Sequence, residues 1–323
     1  MDKDLRQVLL FDTSIMSENL GDQIVMQYCE KNLRKVFPKD FFIHTATHDR
    51  IGKRTHLYNA EIVDYSIVCG TNILKGDINK KPHQWSIRPI DGIRLKNLCL
   101  MGVGWWQYNN EANCYTKYIY KNMLSPNLLH SVRDEYTKKR LNEIGISNVV
   151  NTGCPTMWEL SPELCASIPK GKSRNVVTTV TNYNNHTEND RKMLNILLRN
   201  YQTVYVWIQS CYDYQYVKTL TDSNRISFID PTLPAYEDFL ACEEVDYVGT
   251  RLHAGIKAIN MQKRAIILAV DNRAIEIGKD TGLRVIKREQ IDEKLESVVN
   301  ATFETKLEIN FDAIQQWLKQ FER

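Results

Sequence analysis

The stretch Asp246-Tyr247-Val248-Gly249-Thr250-Arg251-Leu252-His253-Ala254-Gly255-Ile256-Lys257-Ala258-Ile259-Asn260-Met261-Gln262 decides how this chain is read. Tyr247 and Val248 read as the end of a buried strand. Gly249 permits a tight turn, and Thr250 is a good N-cap for a helix. Leu252, Ile256 and Ile259 recur at helical spacing and give that helix a core face. His253, Lys257 and Asn260 follow one residue along as a polar stripe. The spacing predicts a helix over 251–262 that opens just past a strand, with Arg251 and His253 in its first turn. Unpaired backbone N–H groups and the positive end of the helix dipole gather at the same point. Two basic side chains added there suit a small, highly charged anion; the plainer reading is a cap or a bridge to a surface carboxylate. In open α/β sheets, ligands gather beyond the carboxyl ends of the strands.

Outward from this stretch the second half alternates without interruption. Strands are predicted at 175–180, 203–208, 225–229, 246–248, 265–270 and near 283–286. Helices are predicted at 188–200, 213–221, 234–242, 251–262, near 272–280 and near 289–300, with a last one at Phe311–Phe321. The first half shows the same rhythm. Gln7–Asp12 is a strand, Thr13–Gly21 a polar loop, and Asp22–Val36 a helix with Val25, Cys29, Leu33 and Val36 inward. Phe41–His44, Tyr65–Cys69, Leu98–Gly102, Leu129–Val132 and Asn148–Asn151 are further strands, several ending in a glycine turn, as in a parallel sheet whose loops meet at one edge. Residues 75–95, rich in proline and charge, read as a loop or lid. Residues 161–173 hold two prolines, a glycine and two lysines and mark the boundary. The chain is therefore expected to be α/β, with an N-terminal lobe over 1–165, carrying Asp22 and Arg133, and a C-terminal lobe over 166–323, carrying Arg251 and His253.

Composition narrows the partners. The 323 residues are 43% hydrophobic and 25% charged, the profile of a globular chain with a core. With 42 basic and 39 acidic residues the net charge is +3, too balanced for a nucleic-acid binder. Eight cysteines fall in no C-x-x-C pair, so no zinc or redox signature is present, and unpatterned thiols suit a reducing compartment. The opening Met-Asp-Lys-Asp-Leu-Arg and the short apolar run Val8–Phe11 give no signal peptide, and no stretch approaches the length of a membrane helix. A cytoplasmic protein is expected, with peripheral membrane contact left open.

Three common chemistries are missing from the motifs: no G-x-G-x-x-G follows a strand, no G-x-x-x-x-G-K-[ST] occurs, and no G-x-S-x-G elbow appears. His44, His48 and His56 lack metal spacing and read as solvated histidines, so no metal is expected. Trp105-Trp106-Gln107-Tyr108 reads as core packing, with a sugar-stacking surface as the sharper alternative. What remains is a set of ionisable residues at strand–helix junctions: Asp22, Arg133, Arg251 and His253. Arginine binds phosphate or carboxylate in bidentate fashion, so two of them converging suit a ligand carrying both. An acid and a histidine nearby could move protons.

At this point the chain resembles the polysaccharide pyruvyl transferases. The resemblance rests on spaced motifs from Leu9 to Val285: Asn19-Leu20-Gly21-Asp22, Asp64–Gly70, Met101-Gly102-Val103-Gly104, Ser131-Val132-Arg133-Asp134, Gly249-Thr250-Arg251-Leu252-His253-Ala254, Ala265–Asp271 and Asn272-Arg273. It implies two Rossmann-like lobes of the GT-B type, the N-terminal one as the acceptor side and the C-terminal one as the donor side, an interlobe cleft, and a C-terminal helix returning to the first lobe. It also implies transfer of pyruvate from phosphoenolpyruvate to a sugar of a cell-surface polysaccharide or its lipid-linked precursor, forming a ketal without a cofactor. Arg133, Arg251, Leu252, His253 and Arg273 carry over as contacts to phosphoenolpyruvate, and Asp22 and His253 as the catalytic pair. Arg273 stands where a lysine is usual. The family's glycine triplet is here Gly70-Thr71-Asn72, and its Asp-Pro is Cys154-Pro155. The competing readings are a nucleotide-sugar glycosyltransferase of the same architecture and a non-catalytic anion- or glycan-binding protein.

Overall fold

The computed structural model describes residues 5–108 and 111–322. The chain begins β1 (Gln7–Asp12), α1 (Leu20–Leu33), β2 (Phe41–Ala46), α2 (Lys53–Leu57), β3 (Tyr65–Cys69), α3 (Pro89–Arg94), β4 (Leu98–Met101) and α4 (Cys114–Met123). It continues β5 (His130–Val132), α5 (Glu135–Glu143), β6 (Val149–Asn151), α6 (Pro162–Ser167), β7 (Asn175–Thr178), α7 (Thr187–Asn200), β8 (Thr203–Trp207) and α8 (Cys211–Leu220). It ends β9 (Ser227–Ile229), α9 (Leu233–Cys242), β10 (Val245–Gly249), α10 (Leu252–Asn260), β11 (Ala265–Ala269), α11 (Asn272–Thr281), β12 (Val285–Lys287), α12 (Glu296–Asn300) and α13 (Phe311–Lys319). No helix among the described residues is long and apolar enough to cross a membrane. Residues 1–4, part of the expected signal-free start, lie outside the described residues.

Packing divides the chain into two units. The first draws on Met1–Ser17, Val25–Trp158 and Ile309–Arg323, and the second on Glu18–Ile24 and Glu159–Glu308. The break therefore falls at Trp158/Glu159 rather than at 165/166, because Trp158 is buried with α1 and α13. Residues 18–24, expected in the N-terminal lobe, group with the second unit; there the Leu20 N–H donates to the Gln209 carbonyl at 3.1 Å.

The first unit is a parallel sheet in the order β2-β1-β3-β4, and a parallel β5-β6 pair lies beside β4. Val8 and Leu10 face one layer with Val25, Cys29, Trp317 and Phe321, while Leu9 and Phe11 face the other with Trp85, Ile119 and Trp105. Period-two alternation with both faces apolar is what a buried parallel strand requires. The β4–β5 seam is stitched largely by side chains: His130 Nδ1 accepts the Leu100 N–H at 3.2 Å, and Ser131 Oγ accepts the Gly102 N–H at 2.8 Å. α13 returns to this unit with Ile314, Trp317 and Leu318 in the same layer as β1 and α1.

Of the loop or lid expected over 75–95, residues 75–88 form the loop, and it is packed down: Trp85 is core, edge-on to Phe11 at 6.1 Å, and α3 completes the segment. The predicted helix near 289–300 is present as one helical stretch, which starts as a 3₁₀ turn and a π turn and ends as the short α12. Of the three histidines expected to be solvated, His56 is not, while His44 is exposed and His48 partly exposed. His56 is buried with Asp91 at 2.8 Å, His44 Nδ1 meets Asp12 at 2.8 Å, and His48 Nδ1 lies 3.2 Å from the Gln84 carbonyl. Trp105 packs in the core, as its plainer reading has it.

The second unit is one parallel six-stranded sheet, β12-β11-β10-β7-β8-β9. In chain order β8 and β9 run to one side of β7, and β10, β11 and β12 to the other. The chain thus doubles back between β7 and β10, which opens a crevice beyond their carboxyl ends. Gly249 ends β10 there because no side chain fits: a Cβ would lie 2.6 Å from Thr179 Oγ1 and 2.7 Å from Thr179 N.

Candidate functional site

The crevice of the second unit is built from the turns that follow β7, β10 and β11. After β7, the Thr179 carbonyl accepts the Thr250 N–H at 3.1 Å, and its Oγ1 accepts the Arg251 N–H at 3.2 Å. Thr250 was expected to cap the next helix; its hydroxyl instead meets Thr181 Oγ1 at 2.8 Å and donates to the Thr179 carbonyl at 3.2 Å. Arg251 becomes the N-cap residue of α10, which runs Leu252–Asn260 and has no side-chain cap. After β11, Asp271 caps α11 by accepting the Arg273 N–H at 3.0 Å. Two helix N-termini therefore open on one narrow recess of about 20 Å³, and Arg251, Leu252, His253, Asp271, Arg273 and Tyr183 line it.

Each arginine of the recess is held by an acid. Arg251 is buried; its Nη2 donates to Asp213 Oδ2, its Nε to the Val180 carbonyl at 3.3 Å, and its Nη1 to Asn19 Oδ1 at 3.4 Å. Arg273 Nη2 donates to Asp271 Oδ2 at 2.6 Å and to the Tyr183 hydroxyl at 2.5 Å. Burial opposes the charge on Arg273, but Asp271 and Tyr183 outweigh it and hold the guanidinium protonated above its ordinary range. The Tyr183 ring also lies against the Arg251 guanidinium, 4.9 Å from its carbon. The recess is thus not the bare cationic hole that the sequence suggests. Two arginines are balanced by two aspartates, which leaves the helix ends as the local excess for an anion.

The structure brings Arg251, Leu252, His253 and Arg273 together in this recess. Asp22 is buried in the first turn of α1; its neighbours Asn19 and Gly21 line the recess, but Asp22 does not. Arg133 belongs to the first unit, at the carboxyl end of β5. It is almost fully buried there, with Nε on Asp134 at 3.1 Å and Nη2 on Asn72 at 3.1 Å. Its Nη1 has no partner among the described residues. The guanidinium lies over Gly104, where a Cβ would come within 2.2 Å of Nη2.

Sequence reasoning missed the roles of Asp213, Asp271, Tyr183 and Gln209. Asp271 had a local signal, since an acid before a new helix is a cap. Asp213 had none, being 38 residues from the arginine it pairs with. Asp12, Glu30 and His44 bring metal-capable atoms within 4.8 Å of one another. Asp12 already accepts from Ser14 N at 2.7 Å, Ser14 Oγ at 2.6 Å and His44 there, so the group reads as an ion pair.

Comparison with known proteins follows the geometry. The family model described as polysaccharide pyruvyl transferase matches residues 19–272. No curated protein matches the chain by sequence. Among solved structures, a Methanocaldococcus jannaschii UDP-GlcNAc 2-epimerase in complex with UDP-GlcNAc and UDP is similar, with TM-score 0.54 and 9% identity, over 98% of this chain and 99% of that one. A putative UDP-N-acetylglucosamine 2-epimerase from Listeria monocytogenes gives TM-score 0.51 and 14% identity, over 97% and 95%. At such identities they show the fold alone, a GT-B-like pair of Rossmann-like units.

Proposed function

This chain belongs to the polysaccharide pyruvyl transferase family, and on that premise we propose that it transfers pyruvate from phosphoenolpyruvate to a sugar of a cell-surface polysaccharide or its precursor, forming a pyruvate ketal. The observation that carries the donor assignment is the recess itself. It gathers Arg251, His253 and Arg273 at two helix N-termini, a setting for a compact ligand bearing phosphate and carboxylate. The paired aspartates fix the guanidinium planes in advance, so that little is spent on ordering them when the donor enters.

A sugar hydroxyl attacks C2 of the donor, its proton passing to a base, while C3 takes up a proton and becomes the methyl group. A second hydroxyl of the same sugar then displaces phosphate from C2, and its proton leaves with the phosphate. Asp22 is our candidate base and His253 our candidate proton donor. The arginines and helix ends stabilise the charge that grows on the departing phosphate, the step at which aimed donors contribute most. We assign Arg133 as the anion-binding cation of its own unit, on the ground of its unpartnered Nη1. The scheme needs no cofactor. All eight cysteines are free thiols, which suits the reducing cytoplasm as its place.

The test is incubation with phosphoenolpyruvate and a panel of simple galactosides, glucosides and N-acetylhexosaminides, read by phosphate release and by mass gain of the sugar. Release that depends on one acceptor supports the reading. Thermal stabilisation by a nucleoside diphosphate and none by phosphoenolpyruvate would overturn it in favour of a nucleotide-sugar transferase.

A further inference from the structure

A second cavity of the same unit opens beyond the carboxyl ends of β8 and β9, with a volume of about 570 Å³. It shares one residue with the anion recess, Gln209. Gln209 is 2% exposed, and its Nε2 has no partner among the described residues. A buried carboxamide nitrogen left without an acceptor costs about 1–3 kcal/mol, and native structures rarely tolerate one without a reason. Glu18 and Asp230 bring carboxylates to this cavity, and Ser210 and Cys211 bring the start of α8, which has no side-chain cap. Tyr214 and Phe228 supply an apolar wall, with ring centroids 5.1 Å apart.

We propose that this cavity is the acceptor subsite and holds a neutral hexopyranose ring, with the Gln209 carboxamide donating to a ring hydroxyl at the junction with the donor recess. The chemistry of the lining selects the occupant. Two carboxylates disfavour an anion and accept from hydroxyls, while the amide and the open helix end donate to them. A sugar hydroxyl does both at once. The aromatic wall suits the C–H face of a pyranose. Continuity through Gln209 puts such a ring next to the recess that the proposed function assigns to phosphoenolpyruvate, so the inference rests on that reading.

Saturation-transfer NMR on the full chain tests it, with methyl β-D-galactopyranoside, methyl β-D-glucopyranoside and methyl N-acetyl-β-D-glucosaminide as probes and uridine as the contrast. We expect transfer to ring protons of at least one glycoside, weakened about ten-fold by Tyr214→Ala and by Gln209→Leu. Phosphoenolpyruvate binding, followed by thermal shift, stays unchanged in Tyr214→Ala. Transfer from none of the glycosides in the wild-type protein, transfer that Tyr214→Ala leaves intact, or displacement of the glycoside by uridine overturns the subsite. Glycoside transfer without any response to phosphoenolpyruvate keeps the subsite and overturns the donor assignment instead.

Discussion

Arg251 and Asp213 form a buried ion pair in the second unit, each less than 5% exposed at the side chain. Asp213 is itself held, because its Oδ1 accepts the Asn182 N–H at 2.9 Å. An acid positioned this firmly sets the plane of the guanidinium and cancels its charge before any ligand arrives. Removing one member of such a pair costs about 3–5 kcal/mol, since a charge is left buried and unpaired.

Asp213→Asn should therefore lower the stability of the free protein by about that amount. Added phosphoenolpyruvate should then raise the melting temperature of the variant by more than it raises that of the wild type, because the anion restores the missing countercharge. Equal shifts in the two proteins would count against Arg251 as a donor contact. The double variant Arg251→Gln/Asp213→Asn removes both charges, keeps most of the stability, and should cut phosphate release by about 10²–10³-fold.

Tyr183 touches both recess arginines, by its ring and by its hydroxyl. Tyr183→Phe keeps the ring and loses the bond to Arg273, so the donor KM should rise by roughly five-fold, the worth of about 1 kcal/mol. Tyr183→Ala loses both contacts and should raise it further. Steady-state titration of the donor at saturating acceptor reads both; a Phe variant as impaired as the Ala variant would mean that the ring contributes nothing.

Gly104→Ala probes Arg133 without altering it. The added methyl would meet the guanidinium at 2.2 Å and must displace it. Overpacking of this kind costs about 1–3 kcal/mol. Turnover should fall as far as in Arg133→Lys, measured by phosphate release. A Gly104→Ala protein that is destabilised yet fully active would assign Arg133 to structure alone.

His130 predicts an acid limit. Burial pushes its imidazole down to about 4 from an ordinary 6.5, with the Ser125 carbonyl opposing the shift. Its Nδ1 must stay unprotonated to accept from Leu100. The unfolded chain therefore binds the proton more readily than the folded one. Stability is undiminished above pH 6.5, falls as pH drops from there towards 4, and changes little from this group below that; the full loss is about 3 kcal/mol. Urea unfolding of the wild type and of His130→Asn between pH 4 and 7 should show a weaker slope in the variant.

The alternation of strands and helices was legible because burial writes itself into local sequence. Leu9 and Phe11 face one layer and Val8 and Leu10 the other, so an unbroken apolar run must be a strand covered on both sides. The helix starting near Arg251 was legible by the spacing of Leu252, Ile256 and Ile259, although its cap moved by one residue once Thr250 found partners in Thr179 and Thr181. The motif arginines and His253 were readable as residues and as junction positions. The loop over 75–95 was legible, but its packing was not, because Trp85, amid polar neighbours, finds its apolar surface only in the tertiary core.

Sequence by itself determined the α/β class and the strand–helix junction positions of Arg251, His253 and Arg273, which depend on short-range periodicity or on motif spacing. Only the tertiary structure decided what balances those charges, and that Gln209 is left with a donor and no acceptor among the described residues. Charge pairing and desolvation depend on distance in space, and a sheet that doubles back between β7 and β10 brings Asp213 against Arg251 across a separation that no local pattern encodes.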